Sequence, residues 1–320
     1  MRPGQVLRGD YPYLRPGDAV VCKSDILNAE RRRSQLSGFP MAYISYVPSR
    51  PLSDYIYDLY YIDGCAPYPR LKVFPMPVSH LILNLGEDFR WRRSAQTGGG
   101  AICTGSCWVG LWSEHYRVDW PSSVRFFGVH FKPGGAYPFL QFPQSELHNR
   151  VVALDAIWGE FAAELGERLD AALSIGRGLA LLERLLLARL AESLPGLGVV
   201  QFAVEEIVRH TGSVSIRGLS DRIGISQNHL GTQFKRMVGV PTKEFARFYR
   251  FAHVLRSIDP TQPADWAQLA QSAHFYDQSH FSREFTAFTG YSPGDYLRRR
   301  WRLHVENPEQ ARNLGYLPVD

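Results

Sequence analysis

A chain of 320 residues, 45% hydrophobic and 21% charged, holds enough apolar material for two domains of ordinary size and too much for a disordered or fibrous protein. No apolar run approaches the roughly eighteen residues of a spanning helix, and Met1 to Glu30 lacks the basic start and apolar core of a secretory signal, so a cytoplasmic location without membrane partners is expected. Cys22, Cys65, Cys103 and Cys107 are too few and too scattered for a disulfide framework and read as reduced thiols. The net charge of +5 is unevenly placed: His210 to Leu303 carries +6 and the remainder −1. Positive charge gathered in one region is the footprint of a nucleic-acid-binding domain, with a solvated basic face as the alternative.

Residues 1–38 mix proline, glycine and the run Arg31-Arg32-Arg33 without a period, and read as an irregular extension. From residue 39 to 193 the pattern predicts a β-domain closed by a helical hairpin. Short β-rich runs lie at Met41 to Val47, Asp54 to Ile62, Val78 to Leu85, Ala101 to Leu111 and Val124 to Lys132, with Gly98-Gly99-Gly100 as a hairpin tip. Runs of this kind without long intervening helices predict a β-sandwich or barrel of cupin-like type. Trp158, Phe161, Leu165 and Leu169 then form one helical stripe, and Leu179, Leu182, Leu186 and Leu190 a second. Two antiparallel helices either cover the β-domain or supply a homodimer interface. Leu194-Pro195-Gly196-Leu197-Gly198 breaks the pattern, and residues 194–203 read as a linker.

Beyond it the sequence repeats itself. Leu219 corresponds to Leu269 at a separation of 50, whereas Leu230, Phe234, Gly239 and Phe245 correspond to Phe281, Phe285, Gly290 and Tyr296 at 51. The one-residue insertion falls between Gly224-Ser226 and His274-Asp277, where a turn is expected. Each copy reads as a short helix, a turn and a second helix. Ser226 caps a helix from Gln227 to about Val238 whose Leu230, Phe234 and Met237 face inward. Asp277 caps its counterpart, with Phe281, Phe285 and Phe288 inward. Thr242 to Ile258 forms a helix of about 24 Å between the copies. The outward face of the first copy presents Asn228, Thr232 and Lys235, with Gln227, His229, Gln233 and Arg236 alongside and the cap Ser226 as a further candidate contact; that of the second presents Gln278, Ser279, Ser282 and Arg283, with His280 near the start. Hydrogen-bonding and cationic side chains in this pattern suit base edges and phosphates.

The strings Gly224-Ile225-Ser226-Gln227-Asn228-His229-Leu230 and Asp277-Gln278-Ser279-His280-Phe281-Ser282-Arg283-Glu284-Phe285, with Gly290-Tyr291-Ser292-Pro293, resemble the AraC/XylS family of bacterial regulators. The resemblance spans about Val204 to Arg302, within a DNA-binding domain placed at 204–303 and followed by a tail at 304–320. It implies that Asn228, Gly231, Thr232 and Lys235 face the groove from the first recognition helix, and Gln278, Ser279, Ser282 and Arg283 from the second. It departs from the family at His274, where glycine is usual, and at Tyr296-Leu297-Arg298, where arginine usually follows the aromatic directly. His274 is expected to adopt an unusual turn conformation. Arg298, Arg299 and Arg300 are candidate phosphate contacts.

The expected fold is thus α+β and two-domain: a β-sandwich or barrel with two helices, then an all-α tandem helix-turn-helix domain. The resemblance implies a transcription regulator of the nucleoid that binds double-stranded DNA, with a small-molecule effector at the N-terminal domain and RNA polymerase or a second copy as further partners. No effector is named by the sequence. The alternatives are a metal-dependent cupin-like enzyme tethered to DNA and a ligand-free partner-binding protein. His80, His115 and His130 with Glu87 and Glu114 are the residues a metal would require, but they lack the close His-x-His spacing of such centres; neither metal nor other cofactor, and no enzymatic activity, is expected.

Overall fold

The computed structural model of the chain describes residues 41–93, 101–103, 105–192, 194–308 and 310–319, so the expected N-terminal extension and the Gly98-Gly99-Gly100 tip lie outside the described residues. The first domain comprises β1 (Met41–Tyr46), β2 (Ile56–Cys65), β3 (Arg70–Val73), β4 (Ser79–Asn84), β5 (Phe89–Arg93), β6 (Ala101–Cys103), β7 (Cys107–Val109), β8 (Tyr116–Asp119), β9 (Ser123–Phe131) and β10 (Val151–Ala153). They pair antiparallel into two sheets, β1-β2-β9-β4-β7-β10 and β11-β3-β8-β5-β6, and β11 (Tyr316–Pro318) comes from the far end of the chain. β3, β5 and β8 were not anticipated; each is only four or five residues long and charged on one face. The expected run Ala101 to Leu111 divides into two strands.

Period-two alternation gives the larger sheet two buried faces. On β9, Phe127, Val129 and Phe131 join Leu179, Leu182 and Leu186 in one core, while Val124 and Phe126 join Phe89, Trp91 and Val118 of the second sheet in another. The first core is covered by α1 (Tyr137–Leu140), α2 (Asp155–Trp158), α3 (Glu160–Asp170) and α4 (Ile175–Arg189). The expected hairpin of helices therefore covers the sheet: Leu165, Leu169, Leu179, Leu182 and Leu186 are buried there within the one chain.

The assigned linker is corrected. Residues 197–203 lie in α5 (Leu197–Arg209), whose Leu197, Val200, Ala203, Val204 and Ile207 recur at helical spacing and are buried. Gly196 takes a left-handed conformation at the start of that helix, so Pro195-Gly196 marks a helix entry. The rest of the second domain is α6 (Ile216–Ile223), α7 (Gln227–Val238), α8 (Thr242–Ser257), α9 (Trp266–Ser272), α10 (Gln278–Thr289) and α11 (Pro293–Glu306). One core runs through all seven helices and takes in Phe74, Leu111, Tyr137 and Leu317 from the first domain. The tail at 304–320 is also corrected: after α11 the chain returns to the first domain and adds β11 to the edge of its smaller sheet.

Phe285 is central to the second core, with ring contacts to Phe281, Phe251, Trp266 and Tyr296 at 5.2 to 6.2 Å between centroids. Phe285→Ala is expected to cost about 3–5 kcal/mol in urea unfolding, as large core truncations do. A loss under about 1 kcal/mol would show that this core is not closely packed.

Candidate nucleic-acid interface and interior cavity

Both helix-turn-helix units are built from local signals. Ser215 caps α6 by accepting from the Gly218 amide at 3.2 Å, and Ser226 caps α7 by accepting from His229 at 3.1 Å. In the second unit Asp265 accepts from Gln268 at 2.9 Å and Asp277 from His280 at 2.6 Å. These caps satisfy amides that the first turn leaves without partners. The turns differ. Gly224 reverses the chain at φ 79°, and His274 occupies the same place at φ 57°, so the histidine adopts the left-handed conformation normally left to glycine. Ile225 and Phe275 match as half-buried turn residues, which identifies the insertion as Tyr276. Tyr276 is 93% exposed immediately before the second recognition helix. An exposed aromatic there is a DNA-contact candidate that the sequence reading missed; the repeat register alone would have isolated it.

On α7, Gln227, Asn228, His229, Thr232, Lys235 and Arg236 are exposed, with Asn228, Thr232 and Lys235 stacked on one face at helical spacing and Gly231 half-buried beside them. On α10, Gln278, Ser279 and Arg283 are exposed, while His280 and Ser282 are half-buried. Ser226 is exposed, although its hydroxyl is engaged as the cap. The candidate arginines separate. Arg298 is exposed and paired with Asp295 on its own helix, and Arg299 lies over the Tyr291 ring at 4.6 Å. Arg300 is not a phosphate contact: it is 1% exposed and donates to the carbonyls of Asn313 at 2.6 Å and Tyr316 at 2.9 Å.

The two recognition helices are held against α8. Phe234 packs edge-on against Phe245 at 5.3 Å, Phe288 lies 4.6 Å from Phe251, and Arg247 donates to Glu284 at 2.8 Å. Behind the first unit, buried Glu206 accepts from Arg209 and Arg222; the Arg222 hydrogen bond is the main cause holding its carboxyl below the usual range.

The first domain contains a cavity of about 300 Å³ between its sheets, walled mainly by aromatic side chains including Tyr60, Trp91, Tyr116, Trp120 and Phe126. His80 and His130 meet there at 4.8 Å between rings, and His130 Nδ1 lies 2.6 Å from buried Asp58. Burial, reinforced by His130, pushes His80 well below the usual imidazole range. His115 is elsewhere, against Gly290 of the second helix-turn-helix unit, so the residues weighed as a metal set do not converge. Among the described residues, no group of three or more His, Cys, Asp or Glu is placed to hold a metal ion.

The domains meet where Gly290 ends α10 at φ 69°; a Cβ there would lie 2.5 Å from His115 Nε2 and 2.9 Å from Lys72 Nζ, closer than packed atoms allow. Lys72 stands 3.7 Å above the Tyr291 ring. Burial lowers Lys72 to about 8, helped by Arg117 and Arg299. Burial and then Lys72 lower His115 to about 4, against a hydrogen bond to the Ala287 backbone.

Residues 219–299 match the family model of a helix-turn-helix domain, and residues 44–153 match that of a domain of unknown function, DUF6597. Among solved structures, ToxT from Vibrio cholerae strain SCE256 with an unsaturated fatty acid bound is 12% identical, with 75% of this chain and 93% of that one covered at a TM-score of 0.39. An apo lysine-to-alanine variant of ToxT from the same strain is 12% identical, with 75% and 96% covered at 0.38. The C-terminal domain of AraT, a response regulator from Geobacillus stearothermophilus, is 18% identical, with 34% and 88% covered at 0.30. Likeness at this level carries no inference by itself. No curated protein sequence matches the chain. The second domain is a tandem helix-turn-helix DNA-binding domain.

Two tests follow from this geometry. His274→Gly removes a strained side-chain-bearing residue from the turn and is expected to raise stability in urea by up to about 1 kcal/mol, the relief of left-handed strain exceeding the added freedom of the unfolded chain. A lower stability would show that the imidazole is required. The second concerns pH. Folded His115 titrates near 4 and the unfolded residue near 6.5, so the unfolded chain alone gains that proton as pH falls through this window. Stability therefore declines from pH 6.5 toward 4, and His115→Gln flattens the decline in thermal melts. An unaltered slope would remove His115 as a source.

Proposed function

We propose that this chain is a DNA-binding transcription regulator of the AraC type that reads two nearby major-groove segments of duplex DNA with α7 and α10, and that a small effector in the cavity of the first domain controls that binding. The observation supporting it is the repeated unit: two capped, outward-polar helices fastened to the same α8. Asn228, Thr232 and Lys235 serve the first segment, and Gln278, Ser279 and Arg283 the second. Ser226, Gln227, His229, Gly231, Arg236, His280 and Ser282 flank them. Arg298 and Arg299 on α11 serve as phosphate contacts. A monomer already carries two reading heads, so a second copy adds specificity without being required for it; RNA polymerase is the partner through which binding would act. The setting is the bacterial cytoplasm and its nucleoid.

The apolar cavity suits a small organic effector, its volume of about 300 Å³ lying at the lower end of the range for ligand pockets.

The test is selection of bound duplexes from random sequence, followed by binding of variants. Thr232→Ala and Arg283→Ala are each expected to lose about 1–3 kcal/mol of discrimination at base pairs of their own segment, leaving the other segment unaffected. Lys235→Ala, which removes a cation, should weaken all duplexes and make binding less salt-dependent. Unchanged preferences in both single-helix variants would refute the assignment of α7 and α10.

A further inference from the structure

The structure assigns the segment from Gln310 to Pro318 as a lid on the cavity, and we propose that it encloses an uncharged, predominantly aromatic ligand and reports its presence to the second helix-turn-helix unit. This inference rests on the reading of the cavity as an effector site.

The lid is defined by position. Gln310, Asn313, Gly315 and Tyr316 line the cavity together with residues of both sheets. Tyr316 pairs with Val73 and Pro318 with Leu71, the Phe74 amide donates to the Gly315 carbonyl at 2.7 Å, and the Val319 amide donates to Arg70 at 3.1 Å. The Tyr316 hydroxyl donates to Gln310 Oε1, so the two halves of the segment are tied across the cavity wall. Entry of a molecule with the volume of this cavity would press on that edge strand, which pairs on one side only. This is a strand of three residues at an edge of its sheet, and short edge elements are where sheets open locally.

The lid is fastened to the DNA-binding domain by a buried cation and by Ala311 and Leu317, which join that domain's core. Arg300 lies on α11 and donates to Asn313 and Tyr316, while its neighbour Tyr296 packs edge-on against Phe285 of α10 at 5.2 Å. A second route runs through β3. Its Leu71 and Val73 line the cavity, and Lys72 between them turns outward to the Tyr291 ring at the end of α10. One strand therefore touches the cavity with one face and the second reading head with the other.

The ligand class follows from the walls. Among the described residues, none lining the cavity is Lys, Arg, Asp or Glu. The carboxylate of Asp58 stands behind the lining with one oxygen 2.6 Å from His130 Nδ1 and the other accepting from Tyr43 at 3.1 Å. Lys72 faces Tyr291 and Arg300 faces the lid carbonyls, so neither cation is available to neutralise an anion inside. An anion would be desolvated without a counter-ion and a cation would find no carboxylate in the walls, whereas aromatic faces and edges pack well on a flat neutral molecule.

The experiment uses the full chain and two fluorophores of one ring system: N-phenyl-1-naphthylamine, which is uncharged, and 1-anilinonaphthalene-8-sulfonate, its anionic counterpart. The uncharged probe is expected to bind saturably, to bind at least about tenfold more tightly than the sulfonate, and to lose binding in a melting-competent Ile82→Trp variant whose indole fills the cavity. Hydrogen exchange at 310–318 and in α11 should change on binding, and Arg300→Gln should speed probe release by about tenfold. Absence of saturable binding, or binding indifferent to Ile82→Trp, would overturn the cavity reading itself. Binding in the cavity with unaltered exchange at 310–318 and in α11 would overturn the lid alone, and equal affinity for the sulfonate would overturn the uncharged class. Should Arg300→Gln fail to fold, exchange in the unaltered chain decides.

Discussion

The packing of both helix-turn-helix units onto α8 is the constraint on which the DNA-reading geometry depends. Phe245 receives Phe234 from the first recognition helix, and Phe251 receives Phe288 from the second. These rings are almost fully buried, so a change in the angle between the reading heads requires repacking one continuous aromatic core. The Arg247 to Glu284 bond adds direction to contacts that are otherwise non-directional, because a guanidinium and carboxylate meet in a narrow range of orientations. A rigid strut lets one chain present two polar surfaces to DNA at a fixed separation, and the ordering cost is met on folding and not on binding.

The same core does not stop at the domain boundary. Phe74 lies 5.7 Å from Tyr296, and the β-domain contributes Leu111 and Tyr137 as well. At the first unit, Val238 at the end of α7 lies against Gly134, and Arg236 lies over Tyr137 at 5.6 Å. At the second, Gly290 admits His115 and Lys72 to within contact of the helix end. Each recognition helix is therefore held at its C-terminal end by the β-domain, while its N-terminal residues remain exposed. The arrangement couples the first domain to the C-terminal ends of both helices.

The helix-turn-helix pair was legible because its signals are local. Serine and aspartate caps, apolar spacing and the 50-to-51 change of register all survive as α7, α10 and the inserted Tyr276. His274 was legible too, as a residue standing where the partner turn has Gly224, and the unusual turn conformation expected of it is a left-handed backbone. What escaped depends on distant pairing. Residues 316–318 form a strand only because β3 offers a free edge some 240 residues earlier, and Arg300 differs from its neighbours only because that strand brings carbonyls to it. A run of arginines cannot reveal which member faces inward. Pro195-Gly196 carried the opposite lesson: punctuation read as a linker was the entrance to α5, whose apolar stripe begins one residue later. The short strands β3, β5 and β8 carry Lys72, Arg92 and Arg117, which mask their buried alternation.

The fixed spacing of the two reading heads is tested most directly by binding to duplexes in which the two contacted groove segments are moved apart by five or by ten base pairs. The strut predicts that both insertions reduce affinity to that of a single segment, since about ten base pairs restore the helical face but add a full turn of separation. Recovery of the original affinity at ten base pairs would contradict it, because only reading heads joined by a flexible tether can follow the segments that far.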